Sequence, residues 1–67
     1  MANLSLDVLR TGKKYRLTNY GEQHEFVIEH ILANGDFKVK DLHSLERYLL
    51  KELTTYGKGK DYCLEEL

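Results

Sequence analysis

The dipeptide Asn34-Gly35 lies between two β-rich runs, "FVIEHIL" (26–32) and "FKVKDL" (37–42), and limits the possible folds more than any other feature. Asn-Gly tolerates positive φ at both central positions of a two-residue hairpin, so it predicts a type I′ turn between antiparallel strands. Pairing outward from that turn sets Leu32 opposite Phe37, His30 opposite Val39 and Glu29 opposite Lys40. Side chains alternate across a sheet. Phe26, Ile28, His30, Leu32, Phe37 and Val39 are therefore expected on one face, as the core. A second hairpin around Tyr20-Gly21-Glu22 sets Leu17 beside Phe26 and Tyr15 beside Ile28, on that same face. On the opposite face Lys14 meets Glu29, which meets Lys40, a Lys-Glu-Lys row across three strands. Each such pair adds roughly 0.2–1 kcal/mol, and pairing with Glu29 withdraws the lysines from any stripe for polyanions. Val27, Ile31 and Leu42 also fall on that face, which favours a coiled, closing sheet or a covering helix over a flat one.

The segment "SLERYLLKELTTYG" (44–57) supports two readings. As a helix over 44–56, it places Leu45, Tyr48, Leu49, Leu53 and Tyr56 at helical spacing, with Ser44 to cap the start and Gly57 to end it. As a strand, "ERYLLK" returns from a tight turn at His43-Ser44 and "ELTTYG" makes a single helical turn. The strand register sets Lys40 opposite Arg47, an unfavourable like-charge pair.

The order of elements argues for the strand. The opening "GKKYRLTNYGE", the meander "FVIEHILANGDFKVKDL" and the closing "YLLKELTTYGKGKDYCLEEL" together resemble the SH3-like small barrels, including Tudor-type modules. The ending is also similar to small uncharacterised bacterial proteins. The resemblance is topological and carries no diagnostic motif. It implies a mainly β fold, a five-stranded barrel with a short helical turn before the last strand. The alternative is a three-stranded antiparallel sheet covered by a helix at 44–56.

Sixty-seven residues are read as one small domain, 1–67, with the first five frayed. A chain of this size buries only about 60% of the surface its unfolded form exposes. Cys63 is the only cysteine, so no internal disulfide compensates. His24, His30 and His43 are scattered singly, without metal-ligand spacing, so neither a metal nor a cofactor is expected. The lone thiol and the absence of a signal-peptide pattern suggest a cytoplasmic setting, and no apolar run is long enough to span a membrane. A net charge of −1 gives no general attraction to polyanions, although Arg10, Lys13, Lys14 and Arg16 gather early and Asp61, Glu65 and Glu66 late.

The stretch "TTYGKGKDY" (54–62) has the look of a phosphate loop, but a Walker-type loop needs GxxxxGK[ST]. Here Gly59-Lys60 is followed by a carboxylate, and Gly57 stands too close to Gly59. The glycines are read instead as permitting a bend, and the lysines as keeping it soluble. Enzymatic constellations are absent: Ser44 beside His43 has no elbow motif, and Cys63 alternates in the last strand as a packed thiol. Recognition remains. Tyr15 and Tyr48 read as core, whereas Tyr20, Tyr56 and Tyr62 fall at or beside loops. The resemblance brings Tyr20 and Tyr56 to one rim, with Lys58 and Lys60 nearby. The expected function is non-enzymatic binding of a protein, a peptide or a second copy, through this rim or a strand edge. A nucleic-acid-binding barrel, with stacking tyrosines and phosphate-contacting lysines, is the alternative.

Overall fold

The computed structural model describes residues 4–67. Among them, β1 (Lys14–Asn19), β2 (Glu22–Ile31), β3 (Phe37–Asp41), β4 (Arg47–Leu49) and β5 (Cys63–Glu66) form one antiparallel sheet, in the order β4-β3-β2-β1-β5. Short 3₁₀ turns stand at Leu6–Val8 and, just before the last loop and strand, at Leu50–Thr54. Period-two alternation places Tyr15 and Leu17 of β1, Phe26 and Ile28 of β2, Val39 of β3 and Leu64 of β5 inward, all fully buried. Phe37, Leu9 and Leu50 complete the core, with Leu4, Tyr48, Leu53 and Tyr62 packed against it. The Tyr15 hydroxyl accepts the Arg10 N–H at 3.1 Å, which satisfies its polar end inside the core.

Both hairpins form, with registers that differ from the expected ones. The two-residue turn with positive φ at both centres is Tyr20-Gly21 (50° and 75°), not Asn34-Gly35. It sets Asn19 opposite Glu22, Leu17 opposite His24 and Tyr15 opposite Phe26. At the Asn-Gly turn only Gly35 has positive φ (88°). Leu32 N–H bonds Asp36 O and Gly35 N–H bonds Leu32 O, which makes a three-residue loop, Ala33-Asn34-Gly35, that ends on a left-handed glycine. The Asn34 carboxamide oxygen accepts Asp36 N–H, so the asparagine serves the loop through its side chain.

A bulge at Glu29, between Ile28 and His30, shifts the β2–β3 register again. Ile28 therefore faces Val39, Val27 faces Lys40 and His30 faces Lys38. The bulge removes His30 from the core face and leaves it exposed; Leu32 is half-buried at the loop. The bulge and the β1–β2 register together correct the Lys-Glu-Lys row. Val27, not Glu29, stands between Lys14 and Lys40.

The third quarter takes the extended form. Lys40 does lie opposite Arg47, and Tyr48 opposite Val39. The like-charge pair is offset by the bulged Glu29, whose Oε1 accepts the Arg47 Nε–H at 2.8 Å. Asp41 Oδ1 accepts the N–H groups of His43 and Ser44, and Leu45 turns the chain at φ 63°. A continuous helix over 44–56 is thus excluded, because ladder bonding and the burial of Tyr48 override its local periodicity. The 3₁₀ turn begins where Glu52 Oε2 reaches back to Leu49 N–H.

Among the described residues no ladder joins β4 to β5, so the sheet is not closed by hydrogen bonds into the expected barrel. Leu50 and Leu53, beside the last loop, pack on the core instead. The fraying expected for residues 1–5 falls partly outside the described residues, at 1–3. Leu4 is anchored, its N–H bonding Leu64 O at 2.8 Å.

Candidate functional site

The stretch 54–62 is neither a phosphate loop nor a free bend. Asn19, Tyr20 and Gly21, at the tip of the β1–β2 hairpin, hold it through five hydrogen bonds, and a sixth reaches Leu53 just before it. Among the described residues Asn19 is the one polar or charged residue buried beside the apolar core, 3% exposed. Its amide Nδ2 donates to Leu53 O (3.2 Å) and Gly57 O (3.1 Å), and its Oδ1 accepts Gly59 N–H (2.7 Å). The Tyr20 hydroxyl donates to Tyr56 O at 2.7 Å. Asp61, the carboxylate that argued against a phosphate loop, ties the loop to the hairpin: its two oxygens accept the Tyr20 and Gly21 N–H groups at 2.9 and 2.7 Å. The glycines fit this clamp. Gly57 has φ 93°, and a Cβ on Gly59 would stand 3.0 Å from the Tyr20 ring.

The clamped loop forms one wall of an open groove of about 220 Å³. The groove is lined by the buried Leu17, Phe37 and Leu50, by residues 34–36 of the β2–β3 loop and by Lys58 and Tyr62. Lys51 and Thr54 of the 3₁₀ turn and Leu6 of the N-terminal turn complete its sides. Lys58 Nζ stands 4.7 Å over the Tyr62 ring, a cation–π contact that orients the ammonium. Burial pushes the Tyr62 hydroxyl above its usual ionisation range, with Cys63 adding to the shift.

The expected rim therefore divides. Lys58 and Tyr62 line the groove; Tyr20, Tyr56 and Lys60 do not. Tyr20, about half exposed, holds the loop, while Tyr56 is 89% exposed and contributes only its carbonyl to the clamp. Asn19, Asp61, Lys51, Leu6 and Asp36 were not signalled by the sequence. Their roles depend on contacts between segments up to 41 residues apart, and no short-range pattern reports such contacts.

The outer face of the sheet carries a second polar arrangement. Arg16 reaches Glu25 Oε2 with Nε (2.9 Å) and with a terminal nitrogen (2.8 Å), and it meets Glu65 with the other (3.2 Å). His43 Nε2 lies 2.7 Å from Glu25 Oε1. Arg16, and after it His43, hold the Glu25 carboxyl below its usual range. Asp41 is lowered as well, chiefly by the Ser44 N–H and then by His43. Burial, helped by Asp41 and Glu52, pushes Tyr48 up to about 12, and its buried hydroxyl has no hydrogen-bond partner among the described residues. No group of His, Cys, Asp and Glu among the described residues could hold a metal ion. No helix among them is long and apolar enough to cross a membrane. No protein-family model matches the chain, and neither do the curated proteins or the solved structures with which it was compared.

Proposed function

We propose that the chain is a non-enzymatic SH3-like binding module that takes an extended segment of a partner protein in the groove between the β2–β3 loop and the clamped 54–62 loop. The strand order supports the SH3-like assignment: β1 pairs with both β2 and β5, and a 3₁₀ turn precedes β5. The groove carries the functional reading. It is concave, its buried lining is apolar, and one wall is fixed by five hydrogen bonds, so little ordering entropy is lost when a ligand enters. The test is selection of a displayed random peptide library on the wild-type chain. Counter-screening uses Thr54→Trp, which fills the groove, after a melt confirms that this variant folds. Peptides that bind wild type and not the filled variant are the expected result; binders indifferent to the filling would place recognition elsewhere.

One observation favours nucleic acid as a second reading. With Val27 between them, Lys14 and Lys40 have no carboxylate partner in an ion pair among the described residues. The net charge of −1 and the adjoining Glu25 and Glu65 weigh against it. Binding to random single-stranded DNA or RNA that falls steeply with salt and is lost in Lys14→Glu/Lys40→Glu would favour this second reading.

A further inference from the structure

The groove does not end at Phe37. A second depression of about 340 Å³ adjoins it and shares Leu6, Gly35 and Phe37, continuing to Leu9, Ile31 and Asp7. Leu6 and Ile31 are large aliphatic side chains about half exposed along this path. Two linked depressions with apolar walls suit an extended chain that places successive side chains in each, more than one compact small molecule.

The charges along the path are uneven. Lys51 and Lys58 line the first depression and not the second, and neither is in an ion pair among the described residues. Lys58 is held over Tyr62 and so presents its ammonium from a fixed place. The opposing charge in the lining of that depression is Asp36, whose Oδ1 accepts the N–H groups of Phe37 and Lys51 at 2.8 and 3.2 Å. At the far end Asp7 is engaged by the Ser5 hydroxyl. An incoming carboxylate would find two ammonium groups without an ion-pair partner in the first depression, whereas a lysine would find there one carboxylate, Asp36, with one oxygen already accepting two backbone N–H groups.

Resting on the reading of the groove as a peptide site, we propose that its occupant is an acidic–apolar segment of a partner protein. Its large aliphatic or aromatic side chains lie over Leu6, Phe37 and Leu50, and its carboxylates face Lys51 and Lys58. The apolar contacts hold the segment, and the carboxylates fix its direction along the groove.

The selected peptides provide the test. Groove-dependent binders should be enriched in Asp and Glu beside a large apolar residue. In fluorescence anisotropy at low salt, changing the acidic positions of the best binder from Glu to Lys should weaken it about three- to tenfold, the scale of a few exposed ion pairs. The Lys-substituted peptide should bind Lys51→Glu/Lys58→Glu protein more tightly than it binds wild type. These two substitutions lie on exposed side chains, so a failure to fold is not expected, and a melt checks it. Groove-dependent peptides without acidic enrichment, or indifferent to the charge exchange, would overturn this inference and leave the peptide site standing. No groove-dependent peptide at all would overturn both.

Discussion

Asn19 is where the structure makes its sharpest quantitative claim. Replacing it with alanine removes three hydrogen bonds at once and leaves two carbonyls and the Gly59 N–H without their partner, in a place 3% exposed. At about 1 kcal/mol net for each bond, the loss is roughly 3 kcal/mol. A domain of this size loses about 4–8 °C of Tm for each kcal/mol, so the melt should fall by roughly 12–24 °C. Asn19→Asp sharpens the test. It keeps the shape and an acceptor for Gly59 N–H, but loses both donated bonds and buries a charge beside two carbonyls, so it should melt at least as low as Asn19→Ala. The assay is thermal denaturation by circular dichroism, paired with amide exchange at Gly59. That amide should be protected in the wild type and exchange quickly in both variants. Melts within about 3 °C of wild type for both, with Gly59 still protected, would refute the claim that Asn19 pins the loop.

Other expectations follow from the same contacts. Gly59→Ala should cost about 1–3 kcal/mol, because a Cβ there meets the Tyr20 ring at 3.0 Å, and the cost should shrink by at least about 0.5 kcal/mol in a Tyr20→Ala background; equal costs in both backgrounds would remove the ring from the account. Tyr20→Ala alone should lower the melt, whereas Tyr56→Ala, at a side chain 89% exposed, should leave it near wild type. Tyr48→Phe should be neutral or stabilising by up to about 1 kcal/mol, since it deletes a buried hydroxyl without a described partner; absorbance at 295 nm should show one late phenol, near the value of about 12, missing in that variant. Glu25 and Asp41 both sit below their ordinary values of 4.5 and 3.8 when folded. The stability they add is therefore complete above those values and declines as pH falls through and below them. Melts of Glu25→Gln should depend less on pH in that acid window than melts of wild type, and an unchanged slope would exclude the Arg16–Glu25–His43 contacts as its source.

The strands β1, β2 and β3 and the inward set Tyr15, Leu17, Phe26, Ile28, Phe37 and Val39 were legible because each rests on a local signal, whereas β4 and the 3₁₀ turn were read from the order of elements, against the local helical periodicity. Those signals are alternation, a turn-forming pair, or a run of β-branched and aromatic residues. Register was not legible, and the reason is specific. Asn-Gly serves both a two-residue turn with two positive φ values and a three-residue loop with one, and the sequence around 34–35 does not choose between them. Tyr-Gly is a poorer candidate for the two-residue turn, because a tyrosine at φ 50° carries a steric cost on its own. That cost is met by partners outside the hairpin. Asp61 neutralises the turn's two N–H groups and Tyr56 accepts the Tyr20 hydroxyl, both from about forty residues away. The bulge at Glu29 has a similar origin, since its reward is the Arg47 contact across two strands. The Tyr20-Gly21 turn and the bulge at Glu29 are thus places where a locally unfavourable backbone is held by a long-range polar contact, unlike the Asn34-Gly35 loop, whose bonds are local. One of them fixes the wall of the groove. Asn19 and Asp61, which hold the loop, escaped the sequence reading as site residues, unlike Lys58 and Tyr62, for the same reason that the site is rigid: their local preference is weak, and the rest of the chain decides where they stand.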